Sequence, residues 1–314
     1  MSMPQVDEAL AEWGNRLFYG PPRKPRKGGR DIRLSAGAVR MRISALVAPG
    51  ATQVMVKVTG GGRGMRAIAA HFRYISRLGK PEVGGKGMTL ELEDDRGERL
   101  SGADDLKALE RTWRVAGGHI PETSRRREAF NIILSMPAGT PPGTVLDAAR
   151  AFAKETFEGH KYVLALHDDT CSPHVHLAVR AERMDGVRLN PRKDDLRQWR
   201  ERFAARLQDR GINAVATRAT VRGRTQAPQA IWRLKTPHPF RAARPVHLSQ
   251  ASVTRGRDAA LEALGQLEAA LSRSSSAEDR RLASELKAYV QKHFAGESQQ
   301  VTTTRHHSRG PAQS

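Results

Sequence analysis

The chain has 314 residues, 53 of them Lys or Arg against 33 Asp or Glu, for a net charge of +20 and a pI near 11. Such a length accommodates one large domain with an appendage, or two modest ones, and the basic excess points to a polyanionic partner, most commonly nucleic acid. No run of about 18 apolar residues marks a transmembrane helix, and the single cysteine, Cys171, excludes an intramolecular disulfide framework and fits a reducing cytoplasm.

Residues 4–18 are predicted as a short helix with Val6, Leu10, Trp13 and Leu17 on one face. The early acids Asp7, Glu8 and Glu12, without a basic segment leading into an apolar core, do not read as a secretory signal. "PPRKPRKGGR" (21–30) reads as a disordered basic arm. A strand is expected over 53–58, where Val54, Val56 and Val58 share a face. "GGGRG" (60–64) lacks the G-K-[ST] of a nucleotide-binding P-loop and is expected to be a flexible connector. A helix follows over 65–78, then a hairpin turning near Arg96–Gly97 and a further helix from about Ala103.

"AFNIILSM" (129–136) reads as a buried strand and 144–157 as a helix with an alanine-rich face. Strands follow over 161–167 and 174–182, then a turn at Asp185–Gly186 and a basic amphipathic helix over 194–211 closed by Gly211. Beyond about residue 222 the chain is rich in Pro and Arg. Two helices are then expected, about 257–272 and 276–294, the second opened by a capping box from Ser275 to Glu278. Residues from 301 on read as a disordered tail.

Only six residues join the strands 161–167 and 174–182. A connection that short cannot make a parallel crossover, so the pair is antiparallel. The expected fold is α+β: a central antiparallel sheet with helices packed on its faces, plus a helical C-terminal appendage. The expected organisation is an N-terminal helix and basic linker (1–50), a main domain (51–225), a helical region (226–300) and a tail (301–314).

"HDDTCSPHVHLAV" (167–179) carries the chemistry. Residues i and i+2 of a strand point the same way, so His174 and His176 share a face, and the hairpin returns beside His167. An H-x-H pair alone also arises without a metal; the third imidazole at the preceding strand end is what favours a divalent cation with open positions. Asp168 or Asp169 is expected to accept the free N–H of a ligand. Cys171 lacks the second cysteine of a usual structural zinc set. His71, His119 and His160 read as ordinary solvated or capping histidines, and the His306–His307 pair as incidental. Tyr74, with Arg73 beside it and Arg77 one turn on, has two readings. One is an amphipathic tyrosine at a helix–sheet seam. The other is a phenol whose ionised form is favoured by arginines and that attacks a phosphodiester. Arg192, Lys193, Arg197, Arg200, Arg202 and Arg206 make a basic helix, either a solvated face or a nucleic-acid surface.

Taken in order, "YISR", "ILSMPAGTP" and "HDDTCSPHVHLAV" resemble the plasmid relaxases, or mobilisation nucleases, of the HUH endonuclease superfamily, in the branch that includes the T-DNA border nuclease. The resemblance covers about 51–225. It implies a central antiparallel sheet with the histidines on central strands and the tyrosine on a covering helix. By it, Tyr74 matches the tyrosine that cleaves one strand at a plasmid transfer origin and keeps a 5′-phosphotyrosine link. His167, His174 and His176 match ligands of Mg²⁺ or Mn²⁺, Asp169 an acid supporting a histidine or the tyrosine, and Ser135 a serine contacting DNA. Arg73, Arg77, Arg192 and Lys193 are expected to hold the DNA backbone. The implied partners are origin DNA, relaxosome accessory proteins and the coupling protein of a type IV secretion system, in a bacterial cytoplasm and with possible passage into a recipient cell. The alternatives are an HUH replication initiator, or a non-catalytic basic DNA-binding protein with a structural metal. The 50 residues before the first motif, and the C-terminal helices, depart from the pattern.

Overall fold

The computed structural model describes residues 3–19, 34–78, 90–222 and 250–294. The basic arm (21–30), the tail (301–314) and His306–His307 lie outside the described residues. The chain divides into two compact units, Gly50–Ala216 and one assembled from Met1–Pro49 with Thr217–Ser314. Among the described residues no helix is long and apolar enough to cross a membrane.

The Gly50–Ala216 unit runs β1 (Thr52–Gln53), β2 (Met55–Gly60), α3 (Met65–Ile75), β3 (Leu92–Asp94), β4 (Arg99–Leu100), α4 (Gly102–Val115), β5 (Ala129–Ser135), α5 (Pro142–Thr156), β6 (Tyr162–His167), β7 (His174–Arg180), α6 (Lys193–Gln208) and β8 (Ala214–Val215). Six strands form an antiparallel sheet in the order β2-β5-β7-β6-β3-β4, as the short β6–β7 connection requires. β1 and β8 pair separately, in parallel.

The period-2 alternation of β7 sorts its side chains into two layers. Val175, Leu177 and Val179 join a core with Val145, Phe152 and Phe157 around α5 and Trp199 and Phe203 on α6. Ala178 on the opposite face joins Ile68, Phe72 and Ile75 of α3 and Leu106, Leu109 and Trp113 of α4. His176 lies two residues before Ala178, so it faces the α3 side. α3 is held there by Met65, Ile68, Phe72 and Ile75, a stripe at helical spacing whose burial stabilises by about 1.5–3 kcal/mol per side chain. Phe72 meets Trp113 edge to face at 4.8 Å. The opposite surface of α3 is left to carry Arg73 and Tyr74.

The glycine-rich connector is not the flexible loop its composition indicates. The Gly62 carbonyl accepts the Glu128 N–H at 2.7 Å and the Arg63 carbonyl accepts that of Ser124 at 3.2 Å, tying the loop to the segment before β5. Gly64 has φ 99°, and a Cβ there would lie 2.4 Å from the Glu122 carbonyl oxygen. The glycines permit close backbone packing. Gly64→Ala is therefore expected to cost about 2–4 kcal/mol, from positive φ and overpacking together, read as a lowered thermal midpoint.

The second unit holds α1 (Met3–Tyr19), α2 (Ala36–Val47), α7 (Gln250–Ser272) and α8 (Ala277–Phe294). Val6, Leu10 and Leu17 pack with Val39, Ile43, Leu264, Leu267, Leu271 and Leu286 in one core. Stretches that the sequence reading kept apart, 1–50 and 226–300, thus contribute to the same core, and α2 was not anticipated. Arg40 joins α2 to both flanking helices, with Nε 2.7 Å from Asp279 and Nη1 2.7 Å from Asp7. Its hydrogen bonds hold the Asp279 carboxyl below the usual carboxylate range. The cap of α8 falls one residue later than expected, with the Ser276 hydroxyl accepting the Asp279 N–H at 3.4 Å.

Candidate active site

His167 and His174 sit directly opposite each other in the β6–β7 register, and His176 opposite Ala165. All three imidazoles therefore project from one sheet face. Ring centroids lie 4.4 Å apart for His167–His176, 5.1 Å for His174–His176 and 5.3 Å for His167–His174. One nitrogen from each falls within 4.8 Å of the others, a set of imidazole nitrogens suited to a divalent cation. Burial disfavours the charged form of two of them: His176, 5% exposed, is pushed down to about 3 by burial and its neighbouring imidazoles, and His167 is lowered by burial.

Backbone carbonyls set two of the tautomers. A carbonyl can only accept, so His167 donates Nε2–H to Ile75 O at 2.8 Å and His174 donates Nδ1–H to Ser172 O at 3.1 Å. The nitrogens left with a lone pair are then Nδ1 of His167 and Nε2 of His174. This corrects the expectation that Asp168 or Asp169 would fix a ligand tautomer. Asp169 instead pairs with Arg77, whose hydrogen bond holds its carboxyl below the ordinary aspartate range. Arg77 Nη2 also reaches His167 Nδ1 at 3.4 Å.

The structure brings Tyr74 to the cluster. Its ring stands edge-on to His176 with centroids 5.7 Å apart, and the side chain is 53% exposed. Sequence reasoning missed His71. It is partly buried, stacks on Tyr74 at 6.0 Å and meets His176 edge-on at 6.4 Å. Burial pushes it down to about 4, and its buried Nε2 has no hydrogen-bond partner. The i, i+3 spacing to Tyr74 was the signal that could have found it. His160 is likewise not solvated: it is buried and donates Nδ1–H to the Arg180 carbonyl at 2.9 Å. His119 is exposed.

Ser135 ends β5 directly opposite His174 and is buried, its hydroxyl 3.5 Å from the Met136 carbonyl. Arg73 is exposed and pairs with Glu110 at 3.4 Å. Arg192 and Lys193 are exposed at the start of α6, where the Asp195 carboxylate accepts the Arg192 backbone N–H at 2.6 Å.

A family model described as "Relaxase: MobA/VirD2-like, nuclease domain" matches residues 91–212, a span that holds all three histidines but begins after Tyr74. The T-DNA border endonuclease VirD2 of Rhizobium radiobacter is 26% identical over 198 residues, 57% of this chain and 45% of that protein. Its counterpart in Agrobacterium fabrum (strain C58 / ATCC 33970) is 27% identical over 198 residues, 57% of this chain and 43% of the relative. That of Rhizobium rhizogenes is 28% identical over 151 residues, 44% and 33% respectively. The chain thus spans less than half the length of these curated relatives. The match falls on the strands that build the imidazole cluster, and the sheet and its flanking helices have the expected architecture. Residues 91–212 of this chain accordingly match the nuclease domain of the MobA/VirD2-like relaxases, and the T-DNA border endonucleases are among the proteins this chain is similar to.

Proposed function

We propose that this protein is a relaxase that nicks one DNA strand at a plasmid transfer origin, with Tyr74 as nucleophile, and rejoins it after conjugative transfer. The observation that carries the reading is the approach of an exposed phenol, edge-on at 5.7 Å, to the innermost of three clustered imidazoles. Tyr74 Oη attacks phosphorus in line, its proton leaves, and the bond to the 3′ oxygen breaks with a proton taken up there. The product is a 5′-phosphotyrosine, which conserves the phosphodiester energy and leaves the step reversible. His167, His174 and His176 would hold Mg²⁺ or Mn²⁺, which when bound supplies Lewis acidity at the non-bridging phosphate oxygens. Asp169, bound by Arg77, is a poor proton acceptor and serves to hold that guanidinium.

The +20 charge supports a DNA substrate held chiefly through phosphate neutralisation. Arg73, Arg192 and Lys193 are exposed cations available for that role, and Ser135 lies beside His174 where a strand would cross. The α7–α8 pair is offered as a docking element for relaxosome or secretion partners. The test is incubation with single-stranded origin DNA and Mg²⁺ or Mn²⁺, followed by denaturation and a search for a covalent adduct. An adduct is expected. Its absence on every candidate origin would leave a basic DNA-binding protein with a structural metal as the better reading.

A further inference from the structure

Arg77 follows the end of α3 at φ 57°, a left-handed conformation that usually falls to glycine after a helix. Its side chain turns inward: Nη2 contacts Asp169 and His167 Nδ1, and Nε is buried without a hydrogen-bond partner. The surrounding structure thus sustains both a strained backbone and an unpaired buried donor to keep this guanidinium in place.

The tautomer argument gives that placement a consequence. With Nε2–H committed to Ile75 O, Nδ1 is the nitrogen through which His167 can ligate a cation. A single lone pair cannot accept a guanidinium N–H and bind a metal at once. We infer that Arg77 is an internal competitor for the metal: it occupies the ligating lone pair of His167 and must swing away, tethered to Asp169, before the three imidazoles can act together. The inference rests on the proposed reading of these histidines as metal ligands. It assigns Arg77 the setting of metal affinity, with its displaced guanidinium then free to meet a phosphate.

The test is Mn²⁺ affinity of the full chain by calorimetry, without DNA. Arg77→Gly removes the side chain and relieves the left-handed backbone; Arg77→Asn does so with a residue that tolerates it. Both are expected to bind Mn²⁺ about tenfold more tightly than wild type. Arg73→Gln, which removes a charge from α3 without touching His167, is expected to change affinity less than about twofold. An unchanged or weaker affinity in the Arg77 variants overturns the inference, as does an equal gain in Arg73→Gln, which would make the effect one of general charge. If neither variant folds, wild type decides: saturation with diamagnetic Cd²⁺ should shift the Arg77 Nε–H resonance, and an unmoved resonance refutes displacement. Failure of wild type and variants alike to bind Mn²⁺ would remove the metal reading and this inference with it, whereas binding indifferent to Arg77 removes the inference alone.

Discussion

Tyr74→Phe is expected to abolish the covalent protein–DNA adduct, lowering strand cleavage by at least about 10³-fold. The substitution deletes one oxygen and keeps the ring, so the edge-on contact with His176 and the stack on His71 persist. The side chain is half exposed, so its loss should change stability by less than about 0.5 kcal/mol. Single-stranded DNA affinity should stay within about twofold of wild type, because phosphate neutralisation by distributed Lys and Arg supplies it. The assay is denaturing electrophoresis of adducts on labelled origin DNA, with filter binding run in parallel. An adduct of undiminished yield would move the nucleophile elsewhere. A parallel collapse of DNA binding would make Tyr74 a contact residue rather than the attacking group.

The imidazole cluster was legible because its members are local. His167, His174 and His176 fall within ten residues, and two rules place them on one face: strand alternation, and the antiparallel return forced by a six-residue connection. Nothing local links Tyr74 to them. That proximity depends on which face of the sheet α3 covers, which is decided by Phe72 and Ile75 packing against Leu106 and Trp113, partners about 30–40 residues on in the chain. The order of motifs supplied the tyrosine through resemblance; packing supplies the reason.

Arg77 marks a different limit. Its sequence context, one turn beyond a tyrosine in a basic chain, reads as a phosphate-binding cation. The left-handed backbone that turns it inward is a property of the folded helix end, which no residue type at this position announces. The second unit was hidden for reasons of distance: the Arg40–Asp279 pair joins residues 239 positions apart. α2 follows a basic arm in sequence, and its buried stripe of Val39, Ile43 and Leu46 is short and blurred by the exposed Met41, so periodicity did not reveal it. The glycine-rich connector was misread because composition records conformational freedom and not the carbonyls of Ala129 and Glu122 that leave no room for a Cβ.

His176→Ala is expected to eliminate cleavage and to weaken Mn²⁺ binding at least about 100-fold, while leaving DNA affinity nearly intact. His176 meets each of the other four rings of the site, its centroid lying within 4.4–6.4 Å of those of His167, His174, Tyr74 and His71. Burial holds it neutral down to about pH 3, so at neutral pH protons do not compete for its lone pair and its loss cannot be mimicked by mild acidification. An imidazole kept uncharged at that depth adds little to folding by charge, and the truncation removes a buried polar ring. The variant should therefore lose only the cost of a small cavity, about 1–2 kcal/mol of unfolding free energy, read as a modestly lowered thermal midpoint. Calorimetry with Mn²⁺, the adduct assay and filter binding on one preparation separate the outcomes. Metal affinity unchanged beside lost cleavage would make His176 a support for the Tyr74 ring instead of a ligand. Loss of DNA binding together with metal binding would mean that the cation, not the basic surface, anchors the strand.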